Sequence, residues 1–117
     1  MATKQQLELS ADNIIASVDL EKDPKEQFKI VWLGTVKPIL ELVKSFTGAK
    51  IDEQIARLEI AADRVCDEKN VDVTNYCQIW NSFHLKSLLK FVQTFTGPKV
   101  DKAINKFIEI SDSFCLN

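Results

Sequence analysis

The sequence predicts an all-α fold in which two helical hairpins close into a four-helix bundle, with one further helix on the N-terminal side. Apolar residues recur at helical spacing along most of the chain, one half repeats the pattern of the other, and no alternating strand pattern competes. A short α-solenoid, with the hairpins stacked side by side, is the alternative. Two repeats are fewer than the roughly three that such an array needs, so we favour the bundle.

The repeat becomes visible when the chain is shifted by 49 residues. Residues 34–66 then align without a gap on residues 83–115, and 11 of these 33 pairs are identical. The centre reads Phe-Thr-Gly-Ala-Lys-Ile-Asp in one copy and Phe-Thr-Gly-Pro-Lys-Val-Asp in the other. We therefore predict a single helical domain over residues 1–117, with an internal repeat at 24–68 and 73–117.

Apolar stepping by three and four residues places the helices in order. The first stripe consists of Leu7, Ala11, Ile14 and Val18. The second helix begins at Asp23-Pro24, because aspartate is a good N-cap and proline suits the first helical position. Continuing along the chain, we expect five helices near residues 4–19, 24–47, 49–68, 73–96 and 98–115.

The turns and one irregularity have local signals. Gly48 and Gly97 follow the first helix of each hairpin, where we expect left-handed residues that close those helices. Asp52 and Asp101 then fall in the first turn of the next helix, where the helix dipole favours a carboxylate. Pro38 lies inside the second helix and predicts a kink in the first hairpin only.

Composition and charge exclude several functional classes. The chain is 45% hydrophobic and 27% charged with a net charge of −2, which is ordinary for a globular protein and argues against one that coats nucleic acid or an anionic membrane. No apolar stretch approaches the ~20 residues of a membrane span, and the first residues lack a secretory apolar segment. We therefore expect a cytoplasmic protein whose cysteines, Cys66, Cys77 and Cys115, are reduced and buried.

Residues 73–85 carry no formal charge and contain an aromatic stripe of Tyr76, Trp80 and Phe83. If buried, this stripe is core; if exposed, it is a partner site, because Trp and Tyr dominate interface hot spots. The leading hypothesis is a non-enzymatic helical interaction module that uses these three residues to bind a protein partner or to form a homo-oligomer.

The alternative hypothesis is a carrier or sensor of a small apolar ligand. Such a ligand would occupy a cavity between the hairpins lined by Trp32, Gly34, Pro38 and Trp80. We expect no enzyme activity, catalytic residue, cofactor or metal. His84 is the only histidine, and no pair of cysteines has the close spacing of a structural zinc site.

Charge is distributed unevenly along the chain. Residues 52–72 hold seven acidic residues. Residues 73–108 hold five lysines and one acidic residue, Asp101. The acidic part of one chain could meet the basic part of another. The basic part contains no arginine, which argues against nucleic acid as the partner.

Overall fold

The structure is a computed structural model that describes residues 4–21, 23–45, 47–67 and 74–115. Within these ranges the chain is all α, without a strand, which confirms the predicted fold class. The elements are α1 (Lys4–Leu20), α2 (Pro24–Val31), a π-helical turn (Trp32–Val36), α3 (Lys37–Val43), α4 (Ala49–Asp67), α5 (Thr74–Ser82), α6 (Leu85–Val92) and α7 (Pro98–Cys115). We call the segment from α2 to α4 the first hairpin and the segment from α5 to α7 the second hairpin.

The two hairpins close into a ring of helices. α2 packs against α4, α4 packs against α5 and α6, both of these pack against α7, and α7 returns to α2. This closed order is that of a bundle, and it differs from the side-by-side stack of a solenoid. α1 lies across α2, the π-helical turn and α7 as the additional helix.

The core is centred on Phe107 of α7. Its ring centroid lies 5.1 Å from that of Phe28, 5.6 Å from that of Trp32 and 6.1 Å from that of Trp80. All four side chains are buried. Aromatic pairs at such separations contribute about 0.5–1.5 kcal/mol beyond their buried area, so α7 joins the two hairpins through one aromatic cluster.

The corner between α1 and α2 forms as the sequence predicts. The Asp23 carboxylate accepts a hydrogen bond from the Lys25 backbone N–H at 3.1 Å, with Pro24 in the first helical position. The side-chain amide of Gln27 donates to the backbone carbonyl of Glu21 at 2.6 Å, which satisfies an acceptor just beyond the end of α1. The prediction of an N-cap at Asp23 is confirmed.

The two glycine turns differ from the prediction. No glycine in the described part of the chain has a positive φ, so Gly48 and Gly97 are not left-handed caps of the preceding helices. Each instead precedes the next helix, and its carbonyl accepts from the N–H of Asp52 or Asp101, at 3.0 and 2.9 Å respectively. The threonine before each glycine donates to the side chain of that aspartate. The turn is thus stabilised by caps of the following helix.

The irregularity expected at Pro38 is a π-helical turn immediately before it. In this turn the Lys37 N–H donates to the carbonyl of Trp32, five residues earlier, instead of four. Proline has no N–H to donate to Gly34, so a regular α-helical ladder is already incomplete at this point. The second helix then ends at Val43, four residues before the predicted boundary.

The second hairpin is also irregular, which contradicts the expectation of a kink in the first hairpin only. The helix predicted for residues 73–96 is broken between α5 and α6 (residue 73 lies outside the described residues). His84 has a left-handed backbone conformation, φ 52° and ψ 44°, and is the only non-glycine residue with positive φ in the described ranges. α6 restarts when the Leu88 N–H donates to the His84 carbonyl at 3.2 Å.

Candidate functional site

The predicted aromatic stripe divides between core and surface. Tyr76 and Trp80 are only 2% and 3% exposed, so in the folded chain they belong to the core. Phe83 is half-buried, and the Arg57 guanidinium lies 4.4 Å from the centroid of its ring. The stripe therefore does not form one exposed surface.

Trp80 takes part in a polar contact that also occurs in the first hairpin. Its indole N–H donates to Asp112 at 3.1 Å, and the Lys86 ammonium pairs with the same carboxylate at 2.8 Å. Burial alone would raise the pKa of Asp112, but the hydrogen bonds from Lys86 and Trp80 together lower it below its ordinary value. The aspartate therefore remains an ionised acceptor well below neutral pH.

The counterpart in the first hairpin is Trp32, Asp63 and Lys37. The indole N–H of Trp32 donates to Asp63 at 2.8 Å, and Lys37 lies 2.9 and 3.1 Å from the two carboxylate oxygens. We call each set the closing contact of its hairpin. A gapless alignment of the two copies does not reveal that Asp63 and Asp112 have the same role. The two aspartates are 49 residues apart, as are the two lysines, but the two tryptophans are 48 apart and so do not align.

The residues proposed for a ligand cavity are not arranged around an open space at Gly34. A Cβ atom added to Gly34 would overlap Ile14 Cδ1 and lie 3.0 Å from Ile14 Cγ1, so the side chain from α1 occupies this position. Trp32 is fully buried, and Trp80 packs edge-on against Phe107. Pro38, the remaining residue of that set, is half-buried near the start of α3.

Among the described residues, the exposed aromatic side chains that contact each other lie elsewhere, at Phe91 and Phe95. These side chains are 42% and 51% exposed, and their rings meet edge to face with centroids 5.1 Å apart. We call them the phenylalanine pair. The helix predicted near residues 73–96 would include Phe95, but α6 ends at Val92 and the residue lies beyond it. Their spacing of four residues was the only available signal.

Other exposed large apolar residues are Leu20, Leu33 and Ile60. They lie on three different elements, α1, the π-helical turn and α4, and single exposed apolar residues are common on globular proteins. The phenylalanine pair is therefore the better candidate for a contact surface.

Many of the unevenly distributed charges are paired within the chain. Besides the closing contacts, the salt bridges include Lys44–Glu59 at 2.6 Å, Arg57–Glu53 at 3.0 Å and Lys99–Asp12 at 2.8 Å. The two exposed pairs, Arg57–Glu53 and Lys99–Asp12, contribute about 0–1 kcal/mol each. The acidic and basic parts are thus less available for each other than the sequence alone implies.

Glu59 has the most unusual environment among these acids. Burial is the largest cause that raises the pKa of its carboxyl, the Glu41 carboxyl raises it further, and Lys44 acts in the opposite direction. The hydrogen bond with Glu59 lowers the pKa of Glu41. A proton that binds to this pair of carboxyls therefore binds preferentially to Glu59.

The cysteines correct the expectation of three reduced, buried thiols. Cys77 and Cys115 form a disulfide with their Cα atoms 5.3 Å apart, and all three cysteines are half-buried. Burial, followed by Asp63 and Asp67, raises the pKa of the Cys66 thiol to about 12. Cys66 is therefore protonated and weakly nucleophilic at neutral pH.

Two shallow grooves run along the outer side of α7. The larger, about 280 Å³, lies between α1 and α7 and is bounded by Ile15, Asp19, Lys102, Asn105, Lys106 and Glu109. Five of its six lining residues are polar or charged, and both signs of charge are present. It lacks the apolar character expected of a carrier for a hydrophobic ligand.

Within the described ranges, no group of three or more His, Cys, Asp or Glu side chains is placed to hold a metal ion. Nor does any helix there combine the length and apolar character needed to cross a bilayer. Comparison with known proteins found no matching family model, no matching curated protein and no matching solved structure.

Proposed function

We propose that the protein is a non-enzymatic helical interaction module that binds a protein partner or a second copy of itself. The observation that supports this proposal is the phenylalanine pair, two large rings in mutual contact on the surface. Buried aromatic anchors supply most of the binding energy in many interfaces. Compared with the sequence hypothesis, the contact surface moves from Tyr76 and Trp80 to Phe91 and Phe95.

The charge around the pair favours an acidic partner segment that presents apolar side chains. α6 contains Lys86 and Lys90 and no acidic residue, and both lysines are exposed. Lys86 is shared with the closing contact, whereas Lys90 reaches Asn105 at 3.3 Å. A positive rim around an apolar centre speeds association with a partner of opposite charge.

Site-specific photo-crosslinking in cells tests this proposal. A photoreactive phenylalanine analogue replaces Phe91 in one variant and Ile60 in a matched control, because Ile60 is 64% exposed but lies on α4. We expect a discrete adduct from position 91 that weakens when Phe95→Ser is added. Twice the chain mass identifies a second copy, and any other mass identifies a different protein.

The same adducts from both positions, or none from position 91, contradict the proposal. Circular dichroism of the Phe95→Ser variant checks that a lost adduct does not reflect unfolding. We expect an intact fold, because the side chain is half exposed and few core contacts are removed.

The cytoplasmic location remains part of the proposal. Disulfides are rare in that compartment, so the Cys77–Cys115 pair would be largely reduced there. Alkylation of thiols in intact cells, followed by fractionation and mass analysis, tests both statements. The alternative of an apolar-ligand carrier requires a bound mass in native mass spectrometry that disappears on denaturation.

A further inference from the structure

The Cys77–Cys115 disulfide joins the first part of α5 to the last residue of α7. Both residues are half-buried, so the bond lies near the surface and a dissolved thiol can approach it. Its position is at one end of the bundle, away from Phe107 in the middle of α7.

The corresponding corner of the first hairpin has no covalent link. Cys66 occupies the position of Cys115, 49 residues earlier in the chain. Lys29 occupies the position of Cys77, 48 residues earlier, which is also the separation of the two tryptophans. The Lys29 charge acts on the Cys66 thiol, which places these two residues near each other. The Trp32 contact closes that hairpin without a disulfide between these two positions. The second hairpin has an equivalent contact, so its closure does not depend on the disulfide.

Aromatic side chains next to both cysteines pack against Phe28. Phe114, next to Cys115, has its ring centroid 5.6 Å from that of the fully buried Phe28. Phe28 in turn meets Tyr76 edge to face at 5.2 Å, directly beside Cys77. The last turn of a helix has carbonyls without intrahelical partners and frays readily when it is not tied down.

We propose that the Cys77–Cys115 disulfide is a reversible redox latch whose reduction releases the last turn of α7 and uncovers the Phe28–Phe114 surface while the remainder of the bundle stays folded. The reductant is a dithiol. One of its thiolates attacks a sulfur of the disulfide to give a mixed disulfide, and the other cysteine leaves as a thiolate that takes up a proton. The second thiol of the reductant then displaces the attacked cysteine, so the reductant becomes a disulfide and both cysteines become thiols.

Hydrogen exchange followed by mass spectrometry tests the latch on the full chain, before and after reduction with dithiothreitol. We expect exchange to accelerate about tenfold or more in residues 113–115, beyond Asp112, and to remain unchanged in 24–43, 49–67, 78–82 and 85–111. Reoxidation with oxidised glutathione should restore the original protection. Alkylation of air-oxidised protein should modify one cysteine before reduction and three after it.

Two variants separate the latch from general destabilisation. Cys66→Ser keeps the disulfide and should respond to dithiothreitol as the unmodified chain does. Cys77→Ser combined with Cys115→Ser should resemble the reduced chain under both conditions. Unchanged exchange on reduction, loss of protection throughout the chain, failure to reoxidise, or three reactive thiols before reduction would each overturn the proposal.

Discussion

The first and second hairpins make the same closing contact with different backbones. In the first, a π-helical turn separates Trp32 from Lys37 by five residues, and the helix continues. In the second, Trp80 and Lys86 are six residues apart, and the added residue is accommodated by a break at left-handed His84. The side chains of the closing contact are positioned in the same way in both hairpins. The regular α-helix is interrupted in each hairpin to allow this arrangement.

The hairpins also differ in buried polarity. The Tyr76 hydroxyl and the Ser111 hydroxyl share a hydrogen bond of 2.7 Å inside the second hairpin. The counterpart positions in the first hairpin hold Phe28 and Ala62, both buried. The two hydroxyls are therefore present together or absent together, as expected when an unpaired buried polar group is costly.

A third difference concerns the outer surface at the irregular turns. Gly34 leaves space for Ile14 of α1, so the first hairpin is covered by another helix. The position aligned with Gly34 in the second hairpin is Phe83, which is covered by Arg57 from α4. In the second hairpin the corresponding position is thus filled by Phe83 itself and covered by a side chain of the first hairpin.

The largest expected effect comes from removing either tryptophan. Trp32→Ala and Trp80→Ala should each lower the free energy of unfolding by about 3–5 kcal/mol, because both rings are buried in the shared core. Urea denaturation measures the change. Phe91→Ala is the exposed control and should cost less than about 1 kcal/mol. A similarly small loss for Trp80→Ala would show that the second hairpin is not closed as the first is.

Removing the acceptor of each closing contact should have the next largest effect. Asp63→Ala and Asp112→Ala should each cost about 1–3 kcal/mol, because a buried indole N–H loses its partner. Asparagine at the same positions keeps a carbonyl acceptor and should recover part of the loss. Chemical denaturation of all four variants tests this. If only one of the two alanine variants lowers the free energy of unfolding, the two closing contacts are not equivalent.

The Tyr76–Ser111 hydrogen bond can be tested by imitating the first hairpin. Tyr76→Phe and Ser111→Ala should each cost about 1 kcal/mol, whereas the double variant should cost less than their sum by at least ~0.5 kcal/mol. A double-mutant cycle in denaturant gives the coupling. Additive losses would indicate that the two hydroxyls do not depend on each other.

The break in the second hairpin should be improved by glycine. His84→Gly should raise the free energy of unfolding by up to ~1 kcal/mol, because glycine adopts positive φ without the steric cost of a side chain. Ser87→Gly, in the interior of α6, should lower it by about 0.5–1 kcal/mol. If both substitutions destabilise the protein in thermal melts, His84 is not held in the left-handed conformation.

The smallest effect is a pH dependence that arises at Glu59 of the first hairpin, which occupies the position of Ile108 in the second. The pKa of Glu59 is raised in the folded state above its ordinary value of 4.5, so folding binds a proton there. Its stabilising contribution is therefore complete below pH 4.5 and is lost as pH rises through the raised pKa.

Glu59→Gln should remove this decline. The free energies of unfolding of the variant and the unmodified chain, compared from below pH 4.5 to neutral pH, provide the measurement. Asp112, whose folded-state pKa is lowered, has the opposite sign: its contribution is lost as pH falls through that pKa. It is present in both chains and cancels in the comparison. If the free energy of unfolding changes with pH in the same way for the variant and the unmodified chain, the role of Glu59 is contradicted.

Local signals were sufficient for much of the fold. The cap at Asp23 and the helical stepping of apolar residues predicted where helices lie, because these features act over a few residues. The closing contacts were not predicted, since a gapless alignment stops at Gly34 and the one-residue offset of Trp80 is invisible to it. The helical spacing of the apolar residues around His84 gives no signal of its left-handed conformation.

The candidate surface and the disulfide needed three-dimensional information. Tyr76 and Trp80 are compatible with both core and interface in sequence, and burial separates these possibilities. The end of α6 at Val92 decides that Phe95 is exposed. Cys77 and Cys115 are 38 residues apart, and no spacing rule pairs distant cysteines in a chain with three.

The break at His84 has a consequence for how such chains can change length. A residue can be gained or lost between Ser82 and Leu85 without moving Trp80 or Lys86 out of contact with Asp112, because the turn absorbs the difference. We therefore expect single-codon insertions and deletions among related genes to cluster there and at the matching π-helical turn, while the segments on either side keep constant length. Sequence comparisons that permit a gap at those two places should detect relatives that gapless comparison misses.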